Sequence, residues 1–224
     1  MPLLGERGSM PSGMNDSSQV PSQLARVRHK PQQGRYDRES VRAVLDAAPF
    51  CHVASVREGR PVVLPMAHAR VGDAVVLHGS PVAGLSRDMG AGSAVCVMAT
   101  LFDGLVLDVS ARHHSMNYRS VTVHGHAVRL TAEDDIPTGL RALIDHLTPG
   151  RWDGVRPPDA RDLRETTVWR VDIEHASVKV RDEPPHDDPL PGIWTGHVPA
   201  RLAFAAPVPV TPDADVPAYA RRLG

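Results

Sequence analysis

Twelve histidines stand in a chain of 224 residues, and histidine is the side chain that most often ligates transition metals or moves protons near neutral pH. His124 and His126 are two apart in an apolar run of strand character. Both imidazoles therefore fall on one face and offer a two-nitrogen metal site, although the surrounding sequence supplies no third ligand and the first reading of the pair is structural. His68 lies in the run Val62–Arg70. Alternation from Leu64 would put residues 64, 66 and 68 on one face, where His68 is placed to donate a proton to a substrate or to ligate an iron as an axial haem ligand. His78-Gly79-Ser80 ends another apolar run. A Gly-Ser turn that opens a helix presents backbone N–H groups and a hydroxyl to an anion, with the positive end of the helix behind them. His29, His175, His186 and His197 fall in polar or proline-rich stretches and read as solvated.

Other chemistries find less support. The chain has no G-x-S-x-G elbow, phosphate-binding P-loop or glycine-rich dinucleotide signature. Cys51 and Cys96 sit inside apolar runs with no activating cation beside them, so they read as buried thiols and form no disulfide framework. Asp103 and Asp108 flank a turn signal and read as hairpin chemistry rather than an acid–base pair, and Arg161–Arg164 reads as a solvated helical face. A net charge of −1 argues against non-specific nucleic-acid binding, whose affinity comes from neutralising phosphates. No stretch reaches 18 apolar residues, which excludes a transmembrane helix. The opening residues show no basic region followed by an apolar block, so no secretory signal is expected; the combined expectation is a cytoplasmic protein.

The elements that must hold these residues follow from periodicity and turn signals. Residues 1–24 are rich in Ser, Gly, Pro and Met without periodicity and are expected to be disordered. Asp37–Ala48 reads as a helix, with Val41, Val44, Leu45 and Ala48 on one stripe and Asp37 as N-cap. Short strands are expected over His52–Val56, Val62–Arg70, Ala74–His78, Ala94–Leu101, Leu105–Ser110 and Tyr118–Leu130, the Asp103-Gly104 pair serving as a hairpin turn. A second helix spans about Asp134 to Leu147, and a short one lies near Asp159–Glu165. Two last strands, Thr167–Ile173 and Ser177–Val180, complete residues 25–182. Residues 183–224 hold nine of the 21 prolines, so they are expected to run as an extended arm over the domain or a partner subunit. The fold class is mainly β with α elements: a small antiparallel barrel with two to three flanking helices.

Four segments taken together are distinctive: Pro61-Val-Val-Leu-Pro-Met-Ala-His-Ala-Arg70, Leu77-His-Gly-Ser80, the stretch from Leu105 through His113-His-Ser-Met-Asn-Tyr-Arg-Ser120, and Thr148-Pro-Gly-Arg-Trp-Asp153. In this order and spacing the chain resembles the pyridoxamine 5′-phosphate oxidase-like flavoproteins, including their nitroimidazole-resistance branch. The resemblance implies a split β-barrel homodimer with FMN in a cleft between subunits, oxidising or reducing a small molecule. It assigns the flavin ring to Val63, Leu64, Pro65 and Met66, and the phosphate to His78, Gly79 and Ser80. Asn117, Tyr118, Arg119 and Trp152 fall near the cleft or dimer contact, with His68, Tyr118 and Arg119 as candidate catalytic groups. His113-His114 would organise a barrel corner. Relatives follow the phosphate turn with a basic pair. Here those positions are Ala83 and Gly84, and the nearest substitute is Ser86-Arg87. That departure makes haem b on the same barrel, with His68 or His78 as ligand, the alternative reading. A non-catalytic cofactor- or metabolite-binding module is a second alternative.

Overall fold

The structure is a computed structural model and describes residues 22–132, 134–210 and 215–222. The tail expected over residues 1–24 thus lies, apart from its last three residues, outside the described residues. A short 3-10 turn leads into strand β1 (Gly34–Arg35) and helix α1 (Arg38–Ala47). Asp37 caps α1 by accepting the Ser40 N–H at 2.7 Å, and Val41, Val44 and Leu45 are the buried stripe. Strands β2 (Cys51–Arg57) and β3 (Arg60–Met66) form a hairpin whose turn residues Glu58 and Gly59 both take positive φ, the twist that a two-residue hairpin loop requires. Then follow β4 (His68–Val71), β5 (Ala74–Gly79), helix α2 (Gly84–Gly90), β6 (Ala94–Leu107) and β7 (Ser115–Arg129). Helices α3 (Asp135–Leu147) and α4 (Ala160–Glu165) precede β8 (Thr167–Asp172) and β9 (His175–Arg181). The arm adds β10 (Gly196–Pro199) and the short helix α5 (Ala218–Arg221).

The sheet runs β3-β2-β6-β7-β8-β5-β4, with β9 also on β7, β1 on β9, and β10 on β6. Strand β7 splits the barrel. Its residues 118–124 pair with β9, while 127–129 leave for β8. The consecutive strands β3 and β4 consequently stand at opposite ends of the strand order. Inside, Val53, Val75, Leu77, Val97, Val121, Val123 and Val171 pack with the inward face of α1. A second cluster beneath α3 joins Ala69, Val76, Leu130, Leu143 and Val168.

The fold class is the expected antiparallel split barrel, and several boundaries differ for identifiable reasons. Val62–Arg70 is not one strand. The chain changes sheets at Ala67, so β3 pairs with β2 and β4 pairs with β5. Asp103-Gly104 is not a turn. Gly104 (φ 147°) instead allows a bulge after Phe102, where an extra residue bends the strand without ending it, so β6 continues to Leu107. Helices number five among the described residues rather than two or three; α2 and α5, the additional ones, have seven and four residues and are too short to show a periodicity. In the proline-rich C-terminal segment, β10 lies on β6 as an edge strand, a position that tolerates proline.

Candidate functional site

Two residues assigned to the cofactor by resemblance, Met66 and Gly79, meet Ser86, the residue offered in place of the missing basic pair. A Cβ built on Gly79 would lie 3.3 Å from the Ser86 hydroxyl and 3.8 Å from the Met66 methyl. The end of β3, the end of β5 and the first turns of α2 therefore close on one point, which His78 and Ser80 border as exposed residues. The sequence reading missed a fourth contributor. Arg57, from the end of β2, lays its guanidinium against Gly84 at the first position of α2, so closely that a Cβ there would stand 2.8 Å from Arg57 Cζ. Asp88 holds it in place, accepting from Nε at 3.1 Å and Nη2 at 2.8 Å, and Ser55 donates to the same carboxylate at 2.9 Å. These bonds raise the Arg57 pKa and, with Ser55, lower that of Asp88. A cation thus reaches the turn from a neighbouring strand, although Ala83 and Gly84 carry none. The signal in the sequence was the glycine itself, since only an absent side chain admits the guanidinium. Ser86 is buried behind the turn and Arg87 is exposed.

Strand β3 is an edge strand, and its backbone groups facing away from β2 have no strand partner. Pro61 and Pro65 cannot donate to the ladder, so their parity marks the outward-facing positions. Val63 shares that parity and supplies the N–H between them. Val63 and Leu64 are 56% and 42% exposed. A planar apolar ligand laid here would cover these side chains and meet one outward donor on a strand that the prolines protect from pairing with another chain.

The remaining candidates lie elsewhere. His68 does not share a face with Leu64 and Met66, because the change of sheet at Ala67 turns it inward. It is fully buried, its Nε2 donating to the Leu45 carbonyl at 3.0 Å, with the His146 ring 4.9 Å away and no partner on Nδ1. Burial drives its pKa down to about 4, so it is a neutral core residue of this chain. Asn117 is buried and serves the arm: its Oδ1 accepts from Arg181 Nη1 and from the Glu183 N–H, and its Nδ2 donates to the Glu183 carbonyl. Arg119 makes a two-nitrogen ion pair with Asp103 at the β6 bulge. Tyr118 lines a separate trough with Met98, Thr100 and Thr122 on the outer face of the sheet. Trp152 sits in a 3-10 turn after α3, its N–H donating to Asp145.

The outer face of the sheet also carries a cavity of about 550 Å³, walled by Leu24, Val56, Pro61, Ala94 and Val128 and holding Cys96, His124, His126 and His175. Cys96 opposes His124 across β6–β7, and His124 opposes His175 across β7–β9, so the three side chains form one row. Burial, and then the neighbouring His175, lower the His124 pKa. Burial raises the Cys96 thiol, and raises Cys51 to about 12, so neither is a ready nucleophile. A different cluster, Asp108, His113 and Asp187, brings its ligand atoms within 4.8 Å of one another. Its oxygens are already committed: Asp108 accepts the N–H groups of Val109, His186 and Asp187, and Asp187 accepts from Ser110 and His113. Ser110 and His113 hold the Asp187 pKa down to about 2. This cluster fastens the arm.

A split barrel with a glycine turn over a short helix defines a class of cofactor-binding domain, and comparison narrows it. The pyridoxamine 5′-phosphate oxidase family model matches residues 37–180, and the chain belongs to this family. The solved flavocytochrome Anf3 of Azotobacter vinelandii is 34% identical, covering 92% of this chain and 98% of its own, with a TM-score of 0.83. A FAD- and haem-binding protein of Mycobacterium smegmatis is 31% identical over 85% of this chain and 97% of its own, with a TM-score of 0.80. A 5-nitroimidazole resistance protein from Bacteroides thetaiotaomicron shares the fold at 22% identity, covering 66% of this chain and 86% of its own, TM-score 0.56. No curated protein matches the sequence. The family span ends at residue 180, so coverage of 92% requires that the Azotobacter protein also match part of the arm. Among the described residues, no helix is long and apolar enough to cross a membrane.

Proposed function

We propose that the protein is a flavin-dependent oxidoreductase acting on a small molecule, with the flavin along β3 and its phosphate end at the Gly79–Ser80 turn. The observation that carries this reading is the convergence of Met66, Gly79 and Ser86 beside the Arg57 guanidinium, under an edge strand whose apolar side chains are uncovered. A bound flavin supplies the electron transfer. The chain's own residues bind and orient it: Val63 offers its outward N–H, Leu64 and Met66 give apolar cover, and the turn with Arg57 balances anionic charge.

FAD fits better than FMN. A groove of about 500 Å³ runs on from Pro81 and Ser86 to Arg129, Thr167 and Trp169, giving room beyond the phosphate turn, and the buried Trp169 indole N–H beside it has no partner. FAD is also the flavin named for the Mycobacterium relative. The test is the visible spectrum of the purified protein, followed by heat release and chromatography of any chromophore. Flavin absorbance that chromatographs as FAD is expected. Colourless protein that also gains no thermal stability from added FMN or FAD would sink the reading.

The reading includes a homodimer and a cytoplasmic location. Val56, Met98, Phe102, Leu105 and Met116 leave large apolar side chains exposed on one chain, the kind of patch that subunit contacts cover, and both cysteines are free thiols. A monomer by light scattering would remove the dimer. Haem is a second cofactor in this proposal, favoured by the two relatives above 30% identity, one a flavocytochrome and the other FAD- and haem-binding. Of the ligands suggested by sequence, His68 is sealed beneath α1 and His78 is exposed at the flavin turn, so neither stands in a pocket of haem size.

A further inference from the structure

We infer that the trough on the outer face of β6, β7 and β9 binds a small organic anion, its carboxylate or phosphate group on Lys179 and its apolar body along Met98, Met116 and Tyr118. Two adjacent cross-strand rows form the floor: Met98, Thr122 and Ser177 in one, Thr100, Ser120 and Lys179 in the next. Ser120 and Ser177 are only 6% and 8% exposed, yet both line the trough. Among the described residues, neither hydroxyl has a hydrogen-bond partner. Buried polar groups ordinarily find partners, so two free hydroxyls on one floor point to a polar group of a ligand above them.

The charge on this floor has one sign. Lys179 is half-buried in the middle of β9, and the residue opposite it on β1 is Gly34, which has no side chain to pair with it. The segment before β1 brings Arg28 and His29 to the rim. None of these three side chains makes an ion pair or hydrogen bond among the described residues, whereas the other lysine, Lys30, pairs with Glu183 at 2.9 Å. No described carboxylate lines the trough. The cavity that holds His124 has two, Asp172 and Glu174, so of these neighbours on one face only the trough suits an anion. It holds about 440 Å³, inside the range of small-molecule pockets. Met98 and Met116 also belong to the apolar patch assigned above to a subunit contact, so a partner would roof the trough. Closing it empty would strip water from the ammonium and both hydroxyls without replacing it, a cost that a bound anion removes. Met98 stands two strands from Pro65 of β3 along the row through His52, about 10 Å at the usual strand spacing. Anion binding here is therefore separate from the flavin turn and does not depend on the flavin reading.

The test is calorimetric titration of the full-length purified protein with benzoate and with phenyl phosphate, against neutral benzamide. Both anions should bind about tenfold or more tightly than benzamide, the scale of one charge-assisted hydrogen bond, and the tighter of the two names the head group. Lys179→Gln should lose about tenfold for the anions and little for benzamide, while Lys179→Arg, which keeps the charge, should retain most of the affinity. Flavin content and circular dichroism of both variants should match wild type. A wild type that binds neither anion, or binds benzamide as well, overturns the site. So does anion affinity unchanged in Lys179→Gln. Loss of flavin from a folded Lys179→Gln would overturn it as well, by giving the cation to the flavin.

Discussion

The inside of the barrel and the outer face of its sheet each hold a pair of histidines, and the two pairs have opposite fates. Inside, the His68 and His146 rings meet at 4.9 Å, tilted by 51°, and each gives its Nε2 hydrogen to a carbonyl at the end of α1. Helix ends leave carbonyls without intrahelical donors, so imidazoles that reach α1 become part of its C-terminal cap. Outside, His124 and His175 face each other across two strands whose backbone groups are already used by the ladder. No carbonyl is left for them, and their nitrogens stay available. The local supply of unpaired backbone acceptors, rather than the residue type, separates a histidine built into the structure from one left without an intrachain partner.

The largest effect that follows is on the inner pair. His68→Ala should cost about 3 kcal/mol, because it opens a core cavity and strands the Leu45 carbonyl; urea denaturation measures it. Flavin and haem content per folded molecule should not change, and a loss of haem at unchanged stability would reverse the comparison. Nearly as large is the pH dependence. His68 is held neutral, its pKa near 4 in the folded protein against an ordinary value near 6.5 when unfolded. The unfolded chain therefore binds more protons between those values, and stability should fall as pH drops from about 6.5 towards 4. The loss from this one group should approach about 3 kcal/mol. Denaturation midpoints across that window should show the slope, and His68→Gln should flatten it. A slope unchanged in that variant would assign the effect elsewhere.

A smaller change is expected at the rim where the flavin turn lies. Gly84→Ala drives a methyl group into the Arg57 guanidinium, displacing it from Asp88. The stability cost should be small, because exposed ion pairs contribute little, but flavin affinity should fall about tenfold as the charge leaves the turn. Equal flavin affinity in the variant would show that Arg57 does not serve the phosphate. The smallest effect belongs to the outer pair: His124→Ala breaks no intrachain hydrogen bond, and its apo-protein should lie within about 0.5 kcal/mol of wild type. A cost matching that of His68→Ala would erase the distinction between the two faces.

Much of this architecture was legible in the residues, and the failures share a cause. The helices that declared themselves were those with an apolar stripe and a cap, such as α1 behind Asp37. The turn was legible because Met66 and Gly79 lie on segments whose order and spacing resemble a known family, while Ser86 stood out only as a substitute for the missing basic pair. What the chain did not reveal was contact between distant segments. Nothing local marks Ala67 as the point where a continuous apolar run changes sheets, yet that step turns His68 from the cleft into the core. Arg57 ends β2, with three strands between it and the turn, and its only trace was an unexplained glycine. His175 read as solvated and is indeed exposed, but its place in a row with His124 and Cys96 depends on the register of three strands.

The way the arm is fastened has a consequence for how such chains can diversify. Its first residues are held by the side chains of Asp108 and Asn117 and the backbone N–H of Ser110 on the barrel, and by Lys30 and Gln33 reaching Glu183. Residues 183–187 therefore act as a socket. Beyond it, the barrel makes ladder demands only where β10 follows β6. Tails of different length and composition can therefore be joined at this socket with little demand on the buried core.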